Sequence, residues 1–161
     1  VCIQGPGVML GYWQDRAVTA KVLKDGWLHT GDVGHLDDEG FLFLDGRRSD
    51  MIKTGAHRVF PGDIEEAIAE LPGVGEVAAV GIDDDVLGQV IKAYVVPRPG
   101  AAPDVAAIRA HCRQRLAAYK VPRHIEFVDA LPRTASGKIR RAALAEFAGA
   151  ATSVAESTAS P

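Results

Sequence analysis

Asp32 closes the run Gly26-Trp27-Leu28-His29-Thr30-Gly31-Asp32, so a carboxylate follows a glycine at the end of an apolar, strand-like piece. A carboxylate placed there can accept hydrogen bonds from both hydroxyls of a ribose, and the glycine admits close approach. On composition alone a turn aspartate capping its own backbone is favoured. Lys138 follows Gly137 in Leu131-Pro-Arg-Thr-Ala-Ser-Gly-Lys-Ile-Arg-Arg141. A phosphate-binding P-loop needs an upstream glycine and Ser or Thr after the lysine. Arg133 and Pro132 stand upstream and Ile139 follows, so that reading fails. A Gly-Lys among small neighbours on a loop can instead reach into another domain, although composition favours an ordinary basic loop ahead of a helix. Lys53-Thr54-Gly55 is a third candidate: Gly55 permits close backbone approach, and Lys53 reads equally as a surface lysine. Arg47 and Arg48 follow the Asp45-Gly46 turn, and adjacent arginines on a loop are usually solvated.

The elements that must hold these groups are readable in order. A short helix is predicted from Asp15 to Val22, after Tyr12-Trp13, with Trp13 read as core or interdomain packing. Val33–Leu36 and Phe41–Leu44 flank Asp37-Asp38-Glu39-Gly40 and form a hairpin, the four-residue apolar run implying burial on both faces. Ile64, Ala67, Ile68 and Leu71 recur at helical spacing after Pro61-Gly62-Asp63, and Pro72-Gly73 stops that helix. Val74–Ile82 and Gln89–Val96 are expected to form an antiparallel pair joined by an acidic turn. Asp104 caps a helix that places Val105, Ile108, Cys112, Leu116 and Tyr119 near one face. Ile125–Val128 is a third strand, and a last short helix runs from Arg141 to Phe147. The expected fold class is α/β (α+β): a small domain with a roughly three-stranded sheet and helices on one side, preceded by a β-rich piece.

Composition excludes several functions. The apolar fraction of 47% and charged fraction of 24% are those of an ordinary globular chain. A net charge of -3 supplies no basic field for nucleic acid. No apolar run is long enough to span a bilayer. Two cysteines, Cys2 and Cys112, make neither a disulfide framework nor a metal cluster, which fits a reduced, cytoplasmic protein. The five histidines show no zinc spacing, and Asp83-Asp84-Asp85 lacks the ligand pattern of a calcium loop. No metal ligands are expected in this chain.

Three stretches in the right order carry a resemblance: DGWLHTGDVGHLDDEGF (25–41), GRRSDMIKTGAHRVFPGDIEE (46–66) and LPRTASGKIRR (131–141). Together they resemble the C-terminal part of the adenylate-forming, AMP-binding superfamily, which includes acyl-CoA synthetases and the adenylation domains of peptide synthetases. The resemblance covers nearly the whole chain except the last dozen or so residues. It implies that residues 1–48 end a large adenylation domain, 49–148 form a mobile C-terminal domain and 149–161 a disordered tail. By the same resemblance Asp32 and Arg47 hold the adenylate, the arginine through its fixed fork of donors. Ser49, with Arg48 before it, occupies the hinge, where the family generally has Asp or Lys. Gly55 lines the path of a thiol arm and Lys53 contacts the intermediate in the second half-reaction. Ala56-His57-Arg58 departs from the commoner Gly-Glu-Asn. Lys138 orients the carboxylate and α-phosphate during adenylation, where an ammonium stabilises gathering negative charge.

The implied function is the C-terminal fragment of an ATP-dependent, AMP-forming acyl-CoA synthetase, an acid–thiol ligase inactive as an isolated piece. It would adenylate a carboxylic acid, as in fatty acid metabolism, and transfer the acyl group to CoA. The implied partners are ATP or AMP, the acid, and CoA or a carrier-protein pantetheine, with Mg2+ held by ligands upstream of this chain. Two alternatives are an adenylation domain that loads a carrier protein and a non-catalytic remnant module.

Overall fold

A computed structural model describes residues 1–144 of the 161. The expected tail 149–161, and the helix expected at 141–147 beyond its first four residues, lie outside the described residues. The chain divides into two compact units, Val1–Ser49 and Asp50 onward.

The first unit is built from short antiparallel strands. β1 (Cys2–Ile3), β2 (Leu23–Lys24) and β3 (Trp27–His29) form a sheet in the order β1-β3-β2. α1 (Arg16–Val22) precedes β2; the Asp15 side chain accepts from the Val18 N–H and caps it. β4 (Asp32–Leu36) and β5 (Leu42–Arg47) form the hairpin. Its turn is tied by Asp37, whose carboxylate accepts from the Glu39 and Phe41 N–H groups. Burial departs from the expectation. Phe41, Leu42, Phe43 and Leu44 are exposed, because within this unit the hairpin is a two-stranded ribbon with no layer packed on it. Trp13, read as core or interdomain packing, is 89% exposed and so is not in the core of this unit.

The second unit is an α/β sandwich whose sheet has five strands rather than about three. The two additional strands, β6 (Ile52–Thr54) and β7 (His57–Val59), are a hairpin too short to show periodicity. At the centre, β9 (Gly88–Pro97) pairs antiparallel with β8 (Val74–Asp84) along its length. It also pairs with β6 through Thr54 and Gly88, and in parallel with β10 (His124–Phe127). Alternate residues of β8 and β9 enter two cores, as expected of strands covered on both faces.

One core packs Ala79, Ile91, Ala93 and Val95 against Ile64 and Ile68 of α2 (Pro61–Ala69) and Ile108 and Cys112 of α3 (Val105–Arg115). Each fully buried isoleucine contributes roughly 1.5–3 kcal/mol. α2 begins at Pro61, whose missing N–H costs nothing in a first turn. Asp104 caps α3 through the Ala107 N–H. Burial pushes the Cys112 thiol pKa above its ordinary value, so this is a packing cysteine. Tyr119 is not on the α3 face. The helix ends at Leu116, whose backbone is extended, and Tyr119 lies in a following 3-10 turn, Ala118–Lys120. The other core packs Ala78, Val80 and Tyr94 against Leu131, Ile139 and Leu144. Among the described residues, the second face of the sheet is thus covered by the returning chain between Leu131 and Leu144.

Candidate functional site

In the first unit Asp32 and Arg47 are register partners across the β4–β5 ladder, and Arg47 Nε lies 3.0 Å from Asp32 Oδ1. Asp32 is mostly shielded and Arg47 is the more exposed partner. The Asp32 N–H is held by Thr30 Oγ1 at 3.1 Å. The Arg48 N–H donates to the Gly31 carbonyl at 2.9 Å, closing the mouth of the hairpin. Ser49 is the last residue of this unit. The fold therefore joins two of the candidate residues and places the other two directly beyond them in sequence.

In the second unit Lys53 and Gly55 lie on the β6–β7 hairpin. The Lys53 side chain is exposed while its N–H donates to Gln89 Oε1. Gly55 has φ +56°, a left-handed backbone that favours glycine, and its N–H donates to the Leu87 carbonyl at 2.9 Å. The turn is thereby fastened to the tip of the β8–β9 hairpin.

Beside it opens a cleft of about 860 Å³ lined by Gly55, His57, Leu87, Arg109, Arg113 and Arg123, among others. Its wall carries His57 stacked on Tyr119, with ring centroids 3.9 Å apart and planes 4° apart. Arg109 Nε is buried without a hydrogen-bond partner among the described residues, and Arg109 Nη2 donates to the Arg123 carbonyl. Sequence reasoning missed this cleft. Its arginines come from α3 and the β10 approach, far in sequence from Gly55. The departure at His57 was the one visible signal.

Lys138 sits at the other end of the sheet, on a tight hairpin between Leu131 and Ile139, both anchored in the second core. The Thr134 N–H donates to the Lys138 carbonyl, the Gly137 N–H to the Thr134 carbonyl and the Arg140 N–H to the Pro132 carbonyl. Gly137 has φ +83°, as this turn requires. The Lys138 side chain is exposed. Arg133 ties this hairpin to Glu76, near the start of β8, while Gly55 is tied to Leu87, just past its end. The eight steps from Glu76 to Asp84 at about 3.3 Å each put roughly 26 Å of strand between the two anchorages. Lys138 and Gly55 therefore do not meet within this unit, and each can serve chemistry only at its own end.

Among the described residues no group of three His, Cys, Asp or Glu could hold a metal ion, and no helix is long and apolar enough to cross a membrane.

Residues 63–138 match the AMP-binding enzyme C-terminal domain. The chain is 46% identical over 141 residues to 2-succinylbenzoate–CoA ligase from Geobacillus kaustophilus, covering 88% of this chain and 29% of that protein. It is 44% identical over 146 residues to long-chain-fatty-acid–CoA ligase from Bacillus subtilis, covering 91% of this chain and 26% of the relative. Among solved structures it superposes on o-succinylbenzoate CoA synthetase (MenE) from Bacillus subtilis, in complex with its acyl-adenylate intermediate. That match has a TM-score of 0.84 at 36% identity and covers 89% of this chain and 29% of that one. The chain spans less than a third of the length of these relatives. Over residues 63–138 the chain carries an AMP-binding enzyme C-terminal domain.

Proposed function

We propose that this chain is the C-terminal part of an AMP-forming acid–thiol ligase that adenylates a carboxylic acid with ATP and transfers the acyl group to CoA. The observation that carries this reading is the separation of Lys138 and Gly55 to opposite ends of the β8–β9 hairpin. A two-step enzyme can use such a domain twice, presenting one end for adenylation and the other for thiol attack. Ser49 and Arg48, where the two compact units meet in sequence, are the backbone positions suited to absorb the change.

The residues then have distinct tasks. Asp32, oriented by Arg47, accepts the ribose hydroxyls of the nucleotide, and Arg47 offers its remaining donors to phosphate. Lys138 brings its ammonium to the carboxylate and the α-phosphate as negative charge gathers during attack. Gly55 lets the thiol arm pass close to the backbone, and Lys53 beside it faces the adenylate in the second step. Three arginines line the cleft next to Gly55, which favours CoA over a carrier-protein pantetheine, since CoA adds a polyanionic nucleotide at the far end of the arm. Magnesium, if used, draws its ligands from outside the described residues. Two free cysteines fit a reducing, cytoplasmic location, and a fatty acid is one candidate substrate.

The test is Lys138→Ala in the complete polypeptide. Acid-dependent pyrophosphate–ATP exchange is expected to fall by about 100-fold or more, the scale of lost transition-state stabilisation by one charged donor. Thioester formation from supplied acyl adenylate is expected to persist. Unchanged exchange would remove the role given to Lys138 and with it this reading.

A further inference from the structure

We propose that Arg133 is a positioning residue for Lys138, acting as a strut between β8 and the peptide that carries the lysine. Its guanidinium makes two bonds. Nη1 donates to the Gly137 carbonyl at 2.7 Å, and Nη2 donates to Glu76 Oε2 at 2.6 Å. The Gly137 carbonyl belongs to the peptide unit whose nitrogen is that of Lys138, so Arg133 grips the backbone directly before the lysine. Glu76 stands on β8, the strand that pairs along the whole length of the central β9, and supplies the rigid footing.

A second brace lies beyond the lysine. Arg141 Nη2 donates to both oxygens of Glu65 at 2.7 Å, and Glu65 Oε1 also accepts the Ala79 N–H of β8. The hairpin bearing Lys138 is thus tied to β8 on both sides of the lysine, directly through Glu76 and by way of Glu65.

A solvated ion pair between Arg133 and Glu76 would contribute little to stability. Its value lies in geometry. An exposed lysine on a free loop samples many placements, and misplacing a charge by about 1 Å costs on the order of 100-fold in rate. The guanidinium aims Nη1 at the carbonyl and Nη2 at the carboxylate in one fixed fork, a span and geometry that the compact, rotatable ammonium of lysine does not reproduce. This inference rests on the adenylation role proposed for Lys138 but is tested separately from it.

The experiment uses Arg133→Gln, Arg133→Lys and Glu76→Gln, with Lys138→Ala as reference. Each is read in two ways: amide hydrogen exchange at residues 134–139 of this chain, and pyrophosphate–ATP exchange in the complete polypeptide. Arg133→Gln is expected to accelerate exchange of the Gly137 and Lys138 amides about tenfold, the scale of one lost charged hydrogen bond. It is also expected to lower kcat for adenylation about 10- to 100-fold with KM for ATP little moved. Arg133→Lys is expected not to restore either. Glu76→Gln keeps the Gly137 bond, weakens the footing by removing its charge and gives an intermediate loss. Unaltered amide exchange and unaltered kcat in Arg133→Gln, with Lys138→Ala inactive, would overturn the strut and leave the function standing. Full activity of Lys138→Ala would overturn the function, and the amide exchange would still decide whether the strut exists.

Discussion

Arg47 Nε sits 3.0 Å from Asp32 Oδ1, across the β4–β5 ladder where the two residues are register partners. The pair is partly exposed, so it contributes little to stability. It does fix which way the carboxylate points. Asp32→Asn keeps the shape but loses the charge that a ribose diol and the guanidinium both bind. Charge-assisted hydrogen bonds are worth about 1.5–3 kcal/mol, so AMP affinity of the complete polypeptide is expected to drop roughly 10- to 150-fold. The thermal midpoint should hardly move. Calorimetric titration with AMP checks this, and an unchanged affinity would mean that the pair serves the hairpin alone.

Gly55 is expected to tolerate a methyl group sterically and resist it conformationally. A Cβ there would meet Leu87 Cδ2 at 3.7 Å, an ordinary contact, but φ is +56°. An L-residue in that backbone region costs about 1–2 kcal/mol. Gly55→Ala should therefore strain the turn and shift the backbone that the thiol arm must pass. Single-turnover measurements are expected to show adenylate forming at the normal rate and the thioester forming slowly. Equal slowing of both steps would place Gly55 in general stability rather than on the thiol path.

Much of the second unit was legible because its elements are periodic. Ile64, Ala67 and Ile68 repeat at helical spacing and are buried, and Asp104 caps the helix it was expected to cap. What escaped has physical causes. Three-residue strands such as Ile52–Thr54 and His57–Val59 are too short to carry a period. Apolarity records what a segment can bury, not whether a partner layer is present, so Phe41–Leu44 read as doubly buried and are exposed. Tyr119 was carried past the true end of its helix by an apolar stripe that continues for one turn too many. In the candidate site, Asp32, Arg47, Gly55 and Lys138 were named through the resemblance of their motifs, since residue type and spacing alone favoured ordinary turn and surface roles for Asp32 and Lys138. Arg133 could not be given its partner, because Glu76 lies 57 residues away and only the fold joins them.

Tyr94 links the central strand to the segment after Lys138. The residue is 2% exposed and its hydroxyl donates to the Leu144 carbonyl at 3.0 Å. Tyr94→Phe removes that buried donor without opening a cavity. The expected loss is about 0.5–1.5 kcal/mol, the net worth of one intramolecular hydrogen bond. Lys92, whose ammonium lies 4.8 Å from the ring centroid, keeps an aromatic face to rest on. Urea unfolding of this chain measures the change. A loss under about 0.5 kcal/mol would show that the carbonyl finds another donor once the hydroxyl is gone.

His124 gives the fold a dependence on mild acid. Partial desolvation, then the positive charges of Lys92, Arg123 and Arg109, hold its pKa below the ordinary 6.5 and outweigh the attraction of Asp84. Between the lowered folded value and 6.5 the unfolded chain binds more protons than the native one. Stability is therefore full above about pH 6.5 and declines as pH falls through the folded value. Lys92 stays charged throughout this window, because its bond to Glu126 and its contact with Tyr94 raise its pKa against the opposing effect of burial. Glu70 and Asp84 also titrate low in the fold, from ordinary values of 4.5 and 3.8, and so act at lower pH. Urea midpoints of this chain are expected to fall between about pH 7 and pH 5.5, and His124→Gln is expected to flatten that slope. A variant that keeps the full slope would assign the acid sensitivity to another group.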